Sequence, residues 1–147
     1  MINKAITLVE MIIGLAITAV LVATALVSLN FVDGRKLDTQ ARSMLSDLFW
    51  VRESAASLHN NYIISFDTTN ETYSIYNGSV SPANLTRKQR LTVNLVNVTD
   101  WSNNPMSQIS FSFPLGKPSD KVWINLSQSK RSRRLNISDE TGFIKME

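Results

Sequence analysis

Few side chains in this chain could do chemistry, and they are scattered. His59 is the single histidine and there is no cysteine, so a cysteine nucleophile, a disulfide and a zinc–thiolate site are all excluded. Asp67, Asn70 and Glu71 could offer oxygens to Ca²⁺, but their five-residue span lacks the pattern of an EF-hand loop. Asp139 and Glu140 form a similar pair. No glycine-rich phosphate loop and no Ser/His/Asp context is present. The inventory predicts no enzyme, no bound metal and no cofactor.

Two concentrations of charge remain. The first is a single carboxylate, Glu10, the only charge between residues 6 and 29, a run without Lys, Arg, Asp or Pro. A charged side chain at the centre of a bilayer costs roughly 2.5–3.5 kcal/mol on insertion scales, so this one needs a compensating partner or a position at the headgroups. The second is the basic run Lys130-Arg131-Ser132-Arg133-Arg134. With Lys117 and Lys121 it makes six bases against one acid, Asp120, between residues 115 and 134. Such a cluster can meet phosphates, and it can equally be a solvated hairpin loop or pair with acidic neighbours. Trp101 and Trp123 could stack on bases, but core or interface positions suit them better. The formal charge of the whole chain, +3, is too mild to demand a polyanionic partner.

The elements that must position these groups follow from periodicity. As helix, the 24 residues from 6 to 29 would extend about 36 Å, enough to cross a hydrocarbon core of about 30 Å. Apolar residues surround the whole circumference, which fits a membrane span better than a surface helix. The run is too long for a signal-peptide core, and no small-residue cleavage site follows it. Lys4 flanks one end while Arg35 and Lys36, with Asp33, flank the other, so the positive-inside rule gives no orientation.

Past residue 30 the helix turns amphipathic. Ala41, Met44, Leu45, Leu48, Val51, Ala55 and Leu58 share one face; Asp38, Arg42, Asp47, Arg52 and Glu53 take other positions. Asp33-Gly34 is an expected weak point, and an end is expected near His59-Asn60-Asn61, with Asn as the cap. Strand-like segments follow at 62–66, 73–76, 91–98, 109–113, 122–126, 135–137 and 143–146, with a hairpin loop at 67–71 and Asn/Pro/Gly turns between the others. The expected architecture is α+β, a long N-terminal transmembrane-plus-amphipathic helix packed on an antiparallel sheet.

Ala5-Ile6-Thr7-Leu8-Val9-Glu10, at the mouth of the apolar run, resembles the processing signal of the type IV pilin superfamily. Ala5 stands where that signal usually has Gly, and Ile6 where it usually has Phe. The resemblance implies a leader at residues 1–5, cleavage between Ala5 and Ile6, and N-methylation of Ile6 by a prepilin peptidase. It implies a filament-core helix at 6–30, its amphipathic continuation at 31–61 and a periplasmic sheet domain at 62–147. Glu10 would then set assembly and register by meeting the amino terminus of an adjoining subunit in a low-dielectric bundle.

Further along, Asp47-Leu48 with Arg52 and Ala55 resembles the helix pattern of the H-type, or FimT-like, minor pseudopilins. The hairpin YIISFDTTNETYSIY, Ile109-Ser110-Phe111 followed by Gly116, and the close from Leu135 through Gly142 to Ile144 are similar to that group's later elements. The implied role is a minor pilin or pseudopilin of a type II secretion pseudopilus or type IV pilus, acting in filament initiation or at the tip. Implied partners are other minor and major pilins or pseudopilins, the prepilin peptidase and an inner-membrane assembly platform. The implied site is a single pass in the bacterial inner membrane. The alternative is a DNA-uptake pilus subunit that binds DNA through Lys130, Arg131, Arg133 and Arg134.

Overall fold

The structure is a computed structural model that describes residues 7–147, without the side chains of residues 25–31. Among the described residues one helix, α1 (Leu8–Ser57), is followed by nine strands and a short 3₁₀ turn at Pro82–Asn84. The chain divides into two compact units, Met1–Asp33 and Gly34–Glu147.

Within the first unit the described part is helix from Leu8 onward. Its large apolar side chains from Leu8 to Val22 are each more than half exposed. Its hydroxyls turn inward on their own backbone. Thr18 Oγ1 donates to the carbonyl of Gly14, and Thr24 Oγ1 donates to those of Val20 and Leu21 at 3.1 and 2.9 Å. Threonines bonded this way leave no hydroxyl seeking water. Among the described residues no helix is long and apolar enough to cross a membrane. The span expected at 6–30 includes residue 6 and the side chains of 25–30, which lie outside the described set.

The second unit holds the core. Helix positions Leu37, Ala41, Met44, Leu48, Val51 and Ala55 are all buried, at the three- and four-residue spacings of one face. They meet two antiparallel sheets. The first has the order β3-β2-β1-β5-β6, built from β1 (Tyr62–Asp67), β2 (Thr72–Asn77), β3 (Leu85–Arg90), β5 (Gln108–Ser112) and β6 (Lys117–Pro118). The second has the order β4-β7-β8-β9, built from β4 (Asn94–Asp100), β7 (Val122–Gln128), β8 (Arg131–Ile137) and β9 (Ile144–Met146). Alternation decides the inward faces: Tyr62, Ile64 and Phe66 on β1, and Val122, Ile124 and Leu126 on β7, are buried while their neighbours are not. Helix and both sheets share one apolar cluster.

Several expectations need correction. The antiparallel strands form two sheets, not one. Residues 85–90 form a strand that apolar alternation could not reveal, because every residue in Leu85–Arg90 is exposed. The strand expected at 91–98 begins at Asn94, after Leu91 and Val93 have already buried their side chains. The helix ends at Ser57, short of the expected His59-Asn60-Asn61. His59, not an asparagine, takes the left-handed conformation there (φ 55°). Leu58 therefore falls beyond the packed face and is 61% exposed. Phe143 stands before β9, and Trp101 sits outside the core in a turn; both are exposed.

Candidate functional site

Ala5 and Ile6, the expected cleavage pair, lie outside the described residues. Glu10 lies inside them, and its surroundings are local. Glu10 N donates to Thr7 Oγ1 at 3.3 Å, and Thr7 N donates to Glu10 Oε2 at 3.4 Å. This is the reciprocal capping box of a helix start, with Thr7 at the N-cap and Glu10 three residues on. The T-x-x-E spacing was visible in the sequence as a capping signal and went unread beside the processing motif. A carboxylate in the first turn also meets the positive end of the helix dipole. Glu10 thus has an intramolecular partner.

The basic run is divided by the strand that carries it. In β8, Arg131, Arg133, Leu135 and Ile137 alternate with Ser132, Arg134 and Asn136. Arg133 Nε donates to Asp38 Oδ1 on α1 at 2.8 Å. Arg131 lays its guanidinium on Gly34, where an added β-carbon would overlap it. Arg134 stands on the opposite face: its Nε donates to Asn125 Oδ1 at 2.9 Å, and its guanidinium lies 5.4 Å from the centre of the Trp123 ring. Lys130 is exposed in the turn before β8. Four bases adjacent in sequence therefore share no single surface.

Two clusters escaped the sequence reading. Asp47 is buried, accepting from Tyr73 Oη at 2.6 Å and pairing with Arg87 of β3. Arg87 in turn lies 5.4 Å from the ring centre of Trp50, which meets the Tyr62 ring edge-on at 5.8 Å. The signal was present, since Asp47 is three residues from Met44 and four from Val51, both on the apolar face. The second cluster surrounds Arg52. A β-carbon on Gly116 would overlap the Arg52 carbonyl oxygen, and one on Gly142 would lie 3.0 Å from Arg52 Nε. Both glycines are buried with φ near +60°, and Nε itself is buried without a hydrogen-bond partner among the described residues. One helix residue thus wedges against a loop from each sheet.

The remaining candidates have structural employment. Asp67 Oδ1 accepts from the amides of Thr69 and Asn70, and its Oδ2 from Asn70 Nδ2 at 2.7 Å. The Asn70 side chain is the chief cause that holds the Asp67 carboxyl below the usual carboxylate range. Asp100 is lowered in the same way, chiefly by Asn104. His59 is exposed and stacks on Phe113, with ring centres 4.3 Å apart. Among the described residues no group of three or more His, Cys, Asp or Glu could hold a metal ion.

No protein-family model and no curated protein sequence matches the chain. Solved structures do. The type IV minor pilin FimU of Pseudomonas aeruginosa superposes with a TM-score of 0.61 at 20% identity, over 80% of this chain and 92% of that one. The minor pseudopilin EpsH from the type 2 secretion system of Vibrio cholerae superposes with a TM-score of 0.60 at 10% identity, over 76% of this chain and 96% of that one. At such identities the likeness speaks to architecture: this chain has the pilin-like α+β fold of those minor subunits.

Proposed function

We propose that this chain is a minor subunit of a type IV pilus or a type II secretion pseudopilus. The observation that carries the reading is the join of a pilin-like fold to an N-terminal segment whose apolar side chains are exposed all round. Exposed apolar surface on that scale needs a covering. Before assembly the bilayer supplies it, with residues 6–30 as a single inner-membrane span. After assembly the helices of sibling pilins supply it. Cleavage between Ala5 and Ile6 by a prepilin peptidase, followed by methylation of Ile6, releases the subunit from its leader. An inner-membrane platform then lifts it into the filament.

The work is mechanical. Glu10, held at the helix start by Thr7, exchanges or shares its capping contact with the amino group of a neighbouring subunit. A buried charge left without that partner is strongly unfavourable, so the pairing fixes axial register. The two sheets present the lateral and tip contacts. DNA capture through the basic run is the rival reading. The division of Arg131, Arg133 and Arg134 between two faces of β8 gives it no concentrated surface.

Intact-mass measurement after co-expression with a prepilin peptidase tests the proposal. A mature chain beginning at methylated Ile6 is expected. A mass that retains residues 1–5, with the peptidase active on a control substrate, would overturn the reading.

A further inference from the structure

Strand β3 closes one side of the first sheet, with β2 as its single strand neighbour among the described residues. Its backbone faces two ways. Leu91 N, just past the strand, donates to the Glu71 carbonyl at 2.8 Å. Antiparallel pairs bond at every second residue, so Arg87 and Gln89 turn their amides and carbonyls to β2. Lys88 and Arg90 turn theirs outward, to the open edge. Their side chains share one face of the sheet, paired with Ser74 and Thr72 of β2. Arg87 takes the other face, where it meets Asp47 of the helix. Lys88 and Arg90 are exposed, and neither side chain forms an ion pair or hydrogen bond among the described residues. Asp67 lies within Coulombic reach of Lys88 but is already held by Asn70. An open groove of about 510 Å³, with Glu71 on its wall, runs beside both bases.

We propose that the β3 edge takes up an extended acidic segment of another protein as a further strand, its two carboxylates opposite Lys88 and Arg90. Residues two apart on a strand share a face, so the two acids must stand two positions apart. The backbone of each acid bonds to the free amide and carbonyl of the base it faces, and the side chains pair across the strands. The same charges decide which strands are refused. A second β3 laid alongside would set base against base, a device by which natural edges avoid self-association. Nor do these 147 residues hold any two acids two positions apart, so a second copy of them has no segment that fits. The occupant is therefore a different chain. Asp47, through Arg87, holds the edge against the helix and keeps it in place for that strand. All of these residues lie in the second unit, so the proposal stands or falls apart from the membrane-span reading.

The test uses the full chain in detergent micelles and a short blocked peptide of alternating valine and glutamate. Amide exchange is followed residue by residue by nuclear magnetic resonance. The peptide is expected to slow exchange several-fold at Lys88 and Arg90, with little change at Arg87 and Gln89, which already bond to β2. A peptide of the same composition with its glutamates adjacent should not. Methylating the peptide nitrogens of the glutamates should abolish the effect, whereas methylating those of the valines should spare it, because only the former face the free groups of β3. Lys88→Glu combined with Arg90→Glu should lose the glutamate peptide and accept one of alternating valine and lysine. Lys88→Gln and Arg90→Gln, milder changes at exposed positions, should each weaken binding up to about five-fold and keep the test sound if the double variant fails to fold. No protection at Lys88 and Arg90 would make the bases a guard against pairing and overturn the proposal. Equal binding of the adjacent-glutamate peptide, or indifference to which nitrogens are methylated, would reduce it to charge attraction without a strand and overturn it too. Duplex DNA that perturbs Lys88 and Arg90 where the peptide does not would overturn it in favour of nucleic acid.

Discussion

Tyr73 Oη donates a 2.6 Å hydrogen bond to Asp47 Oδ2, tying β2 to the buried face of α1 across twenty-six residues of sequence. Asp47 also pairs with Arg87 on the neighbouring strand β3. The edge strand, whose residues bury nothing of their own, is thus held to the helix by one carboxylate. Burial supplies the cost and the two partners offset it, since an ionised carboxylate tolerates a dry site only when hydrogen-bonded.

Tyr73→Phe in the full chain in detergent is expected to lose about 1.5–3 kcal/mol, the usual worth of a hydrogen bond to a charged group. Asp47→Ala costs more, because it strands the Tyr73 hydroxyl in the core and releases Arg87. Burial first, then the hydrogen bond and charge of Asp47, push the Tyr73 phenol well above its ordinary value of 10.0. The folded chain keeps that proton where the unfolded chain gives it up. The contribution is therefore complete below about pH 10 and declines as pH rises beyond it. Urea denaturation should show the gap between wild type and Tyr73→Phe narrowing between neutral pH and about pH 11. A gap that holds constant would mean the phenol titrates alike in both states.

At acid pH the sign reverses. The turn bonds from Asn70 to Asp67 and from Asn104 to Asp100 hold both carboxyls below their usual value of 3.8. Each contributes stability that is present above that value and disappears as pH falls through the lowered one. Replacing both by Ala should reduce stability at neutral pH and flatten its decline on the acid limb. Retention of the wild-type acid slope in the double variant would assign acid unfolding to other carboxylates.

Arg52 and its two glycines make separable predictions. Gly142→Ala meets Arg52 Nε at 3.0 Å, a side-chain atom, whereas Gly116→Ala meets the Arg52 carbonyl oxygen, which is backbone. Each also carries the strain of an alanine at positive φ, of order 1–2 kcal/mol. Arg52→Ala should therefore offset part of the Gly142→Ala loss and little of the Gly116→Ala loss. A double-mutant cycle on thermal midpoints reads the difference. Equal coupling at both glycines would contradict the wedge geometry.

These relationships also show where sequence reading reaches and stops. The buried helix positions, with Leu45 and Leu58 outside them, and the alternating strands β1 and β7 were legible because each buries one face at a fixed period. The strand β3 was hidden because it is an edge strand on which all six residues are exposed, so no alternation records it. Asp47 and Arg52 were assigned to the polar face by residue type, although their spacing placed Asp47 beside Met44 and Val51. The basic run was read as one patch because adjacency in sequence says nothing about faces; a strand sends neighbours to opposite sides. The position of Arg131 on Gly34 joins residues almost a hundred apart, and no local pattern encodes it.

Glu10 offers the sharpest separation of its local role from the assembly role proposed for it. Glutamine can fill the third helical position of a capping box as glutamate does, but it carries no charge for a neighbouring amino terminus. Glu10→Gln should therefore keep the helix start, lose only the few tenths to 1 kcal/mol of its dipole attraction, and yet be excluded from filaments. Thr7→Ala should do the converse. It weakens the helix start by about 0.5–2 kcal/mol, seen as faster amide exchange over the first turn, and leaves the Glu10 charge in place for assembly. Glu10→Ala loses both. Incorporation into filaments, scored beside amide exchange in detergent, places each variant on the two axes. Assembly of Glu10→Gln at the wild-type level would leave the carboxylate a helix cap and nothing more, and the register role proposed for it would fall.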